Sequence, residues 1–142
     1  MKNAECRIEC GILWTVGSMG YGRCQDLRAR TTRFALQVID LYRHIPRSEL
    51  GGIMARQFVR SGTSVGAQYR EACRARSVAE FCSKLQSAIQ ELDETGYWLE
   101  LLVESKVMPA PSCQALVDEV DALTRIMVTS AATAQKHADS KT

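Results

Sequence analysis

The sequence predicts an all-α protein: an antiparallel, up-down-up-down bundle of four helices. In four long stretches apolar residues recur every three or four positions, the spacing of one helix face. Short breaks separate the stretches, at Pro46, at the Ser77-x-x-Glu80 motif, and at Pro109 and Pro111. Nothing alternates in the two-residue rhythm of a strand, and no internal repeat is detectable. Four amphipathic helices joined by short links are the pattern of such a bundle.

The first helix is expected from about Asp26 to His44, where Leu27, Thr31, Phe34, Val38, Leu41 and Ile45 form the apolar stripe. Pro46 ends it, because the residue before a proline avoids the helical region. Ser48 is the expected N-cap of the second helix, with Glu49 placed against its positive end. That helix should reach about Arg74 and bury Met54, Phe58, Ser61, Val65, Tyr69 and Ala72. Gly62 and Gly66 lie inside it, each costing up to about 1 kcal/mol relative to alanine. Two such glycines four residues apart signal close approach of a neighbouring backbone. A capping box, Ser77-x-x-Glu80, opens the third helix. Its stripe is Val78, Phe81, Cys82, Leu85, Ala88, Ile89, Leu92, Gly96, Leu99 and Val103. Ser112 is the expected cap of the fourth, whose stripe is Cys113, Leu116, Val117, Val120, Leu123, Met127, Ala131 and Ala134.

With 142 residues, 46% apolar, and three prolines, the chain suits one globular domain. That domain is expected over residues 25–137, with a frayed end at 138–142. Residues 1–24 read differently, because Gly11, Gly17, Gly20 and Gly22 interrupt any helical pattern. They fit a flexible tail, an over-extended reading frame ahead of a start at Met19, or a segment whose Ile12, Leu13 and Trp14 cover an apolar patch. Glu5 and Glu9 break up any secretory leader, and no run is long and apolar enough for a membrane span. The six cysteines follow no framework spacing, which points to reduced thiols in the cytoplasm. Cys6-x-x-x-Cys10 lacks a second ligand pair, and His44 and His137 are remote from it, so no metal or other cofactor is expected.

Charge is divided between the two halves. Residues 1–76 hold 13 Lys and Arg against 6 Asp and Glu, whereas residues 77–142 hold 5 against 10. On the second helix Arg56, Arg60, Arg70 and Arg74 fall within about 40° of one line, opposite the apolar stripe. Arginine clustered on a helix face suits phosphate, so these four are the candidate RNA- or DNA-binding residues. On the third helix Glu80, Glu91, Glu94 and Trp98 project away from the stripe, with Tyr97 and Leu101 beside them. Aromatic residues on an outer face mark an interface. The two faces, basic and acidic, are expected to be free for outside contacts and to meet head to tail between copies of the chain. The arginines therefore serve nucleic acid, another subunit, or both; an assembly scaffold without a nucleic-acid role is the rival reading. Glu91-x-x-Glu94 followed by Asp118-x-x-Asp121 superficially resembles the magnesium-binding motifs of helical nucleotide pyrophosphohydrolases. Both pairs point away from their stripes, whereas metal work in a bundle needs carboxylates facing inward. No catalytic residues are assigned, and the chain reads as non-enzymatic.

Three ordered motifs carry a family resemblance: RSGTSVGAQYREA from Arg60 to Ala72, RARSVAEFCSKL from Arg74 to Leu85, and ETGYWLELL from Glu94 to Leu102. Over about residues 25–130 the chain resembles the four-helix-bundle proteins first noticed as reading frames in intervening sequences of bacterial large-subunit ribosomal RNA. That family is similar in turn to the accessory variability determinant of diversity-generating retroelements. The resemblance implies a homopentameric ring, nucleic-acid binding in the retroelement branch, and a reverse transcriptase or another nucleic-acid enzyme as partner. Arg60, Ser64, Gly66, Arg70, Glu71, Glu94 and Trp98 fall on the family's motif, whereas Gln68 stands where asparagine is usual.

Overall fold

A computed structural model describes the backbone of residues 19–141 and the side chains of residues 26–141. Among the described residues four helices follow one another: α1 (Met19–His44), α2 (Glu49–Ala72), α3 (Val78–Glu104) and α4 (Ala110–Asp139). Among the described residues there is no strand. Each helix packs on the next, and α4 returns to α1, closing a four-membered bundle. No helix among the described residues is long and apolar enough to cross a membrane. The expectations for Cys6, Cys10, Ile12, Leu13 and Trp14 lie outside the described residues.

Three boundaries differ from expectation. α1 begins at Met19 rather than near Asp26, so the helix passes through Gly20 and Gly22. Both glycines sit in the first turn, where the amide groups have no intrahelical partner to lose. Ser112 does not cap α4; Pro109 holds the N-cap position and Pro111 lies in the first turn. A proline there sacrifices no helical hydrogen bond, so the break expected at the prolines is where the helix starts. At its far end α4 continues to Asp139. Elsewhere the caps are the expected ones. Ser48 accepts from the Gly51 amide at 3.1 Å and Ser77 from the Glu80 amide at 3.0 Å. The end of α3 closes differently, with Lys106 at φ 59° while Val107 N–H reaches Leu102 O and Lys106 N–H reaches Val103 O. That pair of bonds is the Schellman closure, usually built on glycine.

The core is the set of stripes meeting along the bundle axis. Phe34, Val38, Phe58, Val65, Leu85, Leu92, Leu99, Leu102, Leu123 and Met127 are wholly buried. The stripes expected for α1 and α2 are buried throughout. On α3 the buried arc also takes in Thr95 and Leu102, because this helix packs against both α2 and α4. Among the described residues three polar side chains are wholly buried, Thr31, Ser61 and Thr95. Ser61 and Thr95 meet across the α2–α3 seam at 3.0 Å. Ser61 donates to Phe58 O at 3.1 Å, and Thr95 lies 2.7 Å from Glu91 O, so neither hydroxyl is stranded.

The glycines of α2 mark its approach to α1. A Cβ on Gly62 would lie 2.7 Å from both γ carbons of Val38, inside any real contact distance. A Cβ on Gly66 would lie 3.4 Å from Thr31 Oγ1, an ordinary contact. The two positions therefore respond oppositely to alanine. Gly62→Ala forces Val38 or the helix to move and costs about 1–3 kcal/mol, whereas Gly66→Ala gains up to about 1 kcal/mol of helix propensity. Thermal unfolding of the two variants checks this: Gly62→Ala should melt below the parent and Gly66→Ala at or above it.

Candidate functional site

All four arginines proposed for nucleic-acid contact are exposed, Arg56, Arg60 and Arg70 on α2 and Arg74 just beyond its end. They do not share one environment. Arg60 pairs with Glu94 of α3 through its Nη2, and its Nη1 lies 3.8 Å from Glu91 Oε2. It also reaches back to Gln57 Oε1 at 3.4 Å. Arg70 turns the other way and donates to Thr32 Oγ1 of α1 at 3.4 Å. The guanidinium groups of Arg56 and Arg74 have no charged or hydrogen-bonded partner among the described residues.

The acidic face divides in the same manner. Glu94 Oε1 accepts from Arg60 and from Trp98 Nε1, the latter at 3.2 Å. The Arg60 hydrogen bond, with help from Trp98, holds the Glu94 carboxyl below the ordinary carboxylate range. Glu91 is in the opposite condition. Its Oε2 is buried without a hydrogen-bond partner, and desolvation raises its carboxyl against the pull of Arg60. Glu80 belongs to the N-terminal cap of α3, accepting from the Arg76 amide at 2.8 Å. A further pair, Lys84 on Glu71 at 2.6 Å, crosses the same seam.

These contacts correct the expectation that the basic and acidic faces are both free for outside partners. Arg60 pairs with Glu94 within the chain and lies beside Glu91, and Glu80 is engaged by its own helix start. The physical reason is lateral. A helical projection locates each residue against the stripe of its own helix. Because α2 and α3 lie side by side, the flanks of their outward faces converge over the seam. Glu91 accordingly lies between the helices rather than out in solvent.

The aromatic part of the surface is split as well. Tyr97 is 54% exposed, whereas Trp98 and Leu101 are half-buried and pack against the core. The Tyr97 and Trp98 rings touch with centroids 5.6 Å apart. Four exposed apolar side chains that the sequence reading left aside are Leu36 on α1, Leu50 and Ile53 on the first turns of α2, and Val128 on α4. The signal of the α2 pair was present as apolar residues off the Met54–Phe58 stripe. A clamp between α1 and α4 was also missed: Arg30 grips Glu119 by both carboxylate oxygens, at 2.7 and 3.0 Å. Nothing in the spacing of either helix could have paired residues so far apart.

As for chemistry, among the described residues no three His, Cys, Asp or Glu side chains gather as metal ligands would. Asp118 and Asp121 are exposed on α4, and Glu91 and Glu94 turn to Arg60 instead. Cys73, Cys82 and Cys113 form no disulfide among the described residues; burial raises both Cys82 and Cys113 above the usual thiol range.

Comparison with known proteins places this bundle. The family described as "23S rRNA-intervening sequence protein" matches residues 25–129, which span all of α2 and α3 and most of α1 and α4. The chain belongs to that family. It is also similar to a solved structure from Bacteroides thetaiotaomicron, described as a protein of unknown function from the S23 ribosomal protein family. The two share 29% identity and a TM-score of 0.71, over 77% of this chain and 97% of that one. No match was found among curated proteins. The family match covers the three motifs quoted above, whose Arg60 and Glu94 are the residues that meet over the α2–α3 seam.

The opposite shifts of the two carboxyls set a pH test. A lowered folded value means that Glu94 contributes stability above its unfolded pKa and loses it as pH falls through the folded value. A raised value means that Glu91 carries a cost when ionised, relieved as pH falls. Thermal unfolding should find Glu94→Gln less stable than the parent at neutral pH, with the deficit shrinking on acidification. Glu91→Gln should not lower stability at neutral pH.

Proposed function

We propose that this family member is a non-enzymatic helical-bundle protein that assembles with copies of itself and binds RNA or DNA without sequence preference. It would serve as an accessory to another nucleic-acid factor, such as a reverse transcriptase, in the cytoplasm. The observation that carries this reading is the outer face of α2 and the turn that follows it, where the Arg56 and Arg74 guanidinium groups are exposed and uncommitted among the described residues. Arg70 adds a third guanidinium held only by the Thr32 hydroxyl. Uncommitted arginines are available to replace the counterions around a phosphate backbone. Arg60 is withdrawn from that set by its pairing with Glu94.

In this reading the consecutive helices run antiparallel. Residues 45–48, 73–77 and 105–109 are links too short to carry the chain back along helices of this length. The ring, a pentamer by family analogy, is held by apolar contact rather than by the head-to-tail charge pairing expected from sequence. Ile53, Leu50 and Tyr97 are exposed apolar side chains on the two helices that share the seam, and the charges between them are already satisfied within one chain.

Fluorescence anisotropy with single- and double-stranded oligonucleotides across a salt series tests the binding. Affinity should fall as salt rises, and Arg56→Glu with Arg74→Glu should weaken it by about tenfold or more at low salt. Absence of salt-dependent binding at low ionic strength would overturn the reading. Light scattering tests the assembly: Ile53→Asp with Tyr97→Asp should yield monomers, and a variant that stays fully assembled places the interface elsewhere.

A further inference from the structure

A cavity of about 700 Å³ opens between α1 and α4, near the start of α3. Its size falls within the roughly 300–1,000 Å³ of small-molecule sites. The floor is apolar: Leu27 and Tyr69 are buried, and Phe81 and Ile126 are half-buried. The rim is cationic, and its charges are unequally committed. Arg30 is held by Glu119. Arg33 and Arg125 are exposed and have no charged or hydrogen-bonded partner among the described residues. One carboxylate, Asp26, stands against these two guanidinium groups, and Thr129 and Ser130 add hydroxyls on the α4 side.

The combination selects a ligand class. A purely apolar molecule would leave two guanidinium groups beside it without a counterion. A bare inorganic anion would leave the aromatic floor unused. A planar ring carrying a phosphate uses both, stacking on the floor while the fork of donors on Arg33 or Arg125 takes the phosphate oxygens. Asp26 then supplies an acceptor for a sugar hydroxyl. We propose that this cavity binds a nucleoside monophosphate, either free or as the 5′-phosphorylated end of a single strand. The site shares no residue with the outer face of α2 and goes beyond general polyanion binding there, because it requires the base as well as the phosphate.

Calorimetric titration of the full chain with adenosine 5′-monophosphate, uridine 5′-monophosphate, adenosine and inorganic phosphate tests this. The monophosphates should bind measurably, with adenosine and phosphate each weaker by about tenfold or more. Arg125→Glu and Arg33→Glu should each weaken monophosphate binding by about tenfold or more, with folding verified by circular dichroism. Because both side chains are exposed, neither change should unfold the bundle. Comparing a 5′-phosphorylated with an unphosphorylated tetranucleotide separates the two sources: preference for the phosphorylated strand over the free nucleotide indicates a strand end, and the reverse a free nucleotide. Arg56→Glu with Arg74→Glu should leave monophosphate binding intact, so failure of the α2 surface is distinguishable from failure of the cavity. The proposal is overturned if the monophosphates bind no better than inorganic phosphate, or if an acidic peptide binds equally well. It is equally overturned if the two cavity arginine variants bind as the parent does.

Discussion

At Gly62 the second helix lies so close to the first that the Val38 side chain occupies the space a Cβ would need. That contact fixes how α2 is rotated in the bundle, and much else follows from the rotation. With Gly62 and Gly66 turned toward α1, Ser61 faces α3 and meets Thr95 in the buried seam. One residue earlier, Arg60 sits over the outside of that seam, within reach of Glu94 and Glu91. Arg56, on the outer face of α2, and Arg74, just beyond its end, make no ion pair with the α3 carboxylates. A change in the roll of α2 would separate Ser61 from Thr95, while each hydroxyl keeps its contact within its own helix, with Phe58 O and Glu91 O. The polar pair is thus compatible with the same rotation that the glycine permits.

The consequence is a division of labour along one helix. The arginine at its middle is structural, holding α3 through a carboxyl whose proton affinity it lowers. The arginines toward its ends face outward. Glu91 shows the cost of such a seam, since one of its oxygens is buried with no donor and its proton affinity rises accordingly. A carboxylate beside an arginine is thus not equivalent to its neighbour one turn away. Geometry decides which of the two is stabilised as an anion. The same reasoning moves the candidate assembly surface from charged groups to the apolar Ile53, Leu50 and Tyr97.

Most of the fold was legible because its determinants are local. Stripes at helical spacing, caps and helix glycines each depend on residues within a turn or two; the Ser48 and Ser77 caps and the α1 and α2 stripes are found as read, and of the glycine pair Gly62 makes the close approach. Ser112 misled because a hydroxyl at a plausible position competes with Pro109 and Pro111, whose fixed backbone already suits a helix start. The interaction surface was legible only in composition. Periodicity distinguishes inward from outward on one helix, but it cannot say which outward flank meets a neighbour. That required knowing that α2 and α3 are adjacent and how each is rolled. For this reason Arg60 and Glu94, read as partners on different subunits, are found to meet within one chain, and the Arg30–Glu119 clamp and the cationic cavity beside it were not foreseen.

The charge swap Arg60→Glu with Glu94→Arg, followed by thermal unfolding over a wide range of protein concentration, tests the internal pairing most directly. Pairing within one chain predicts that each single reversal lowers the melting temperature and that the double swap restores most of the loss at every concentration, as a contact independent of assembly must. A double variant no more stable than the single reversals, or a rescue that disappears on dilution, would contradict it and return Arg60 to the surface between subunits.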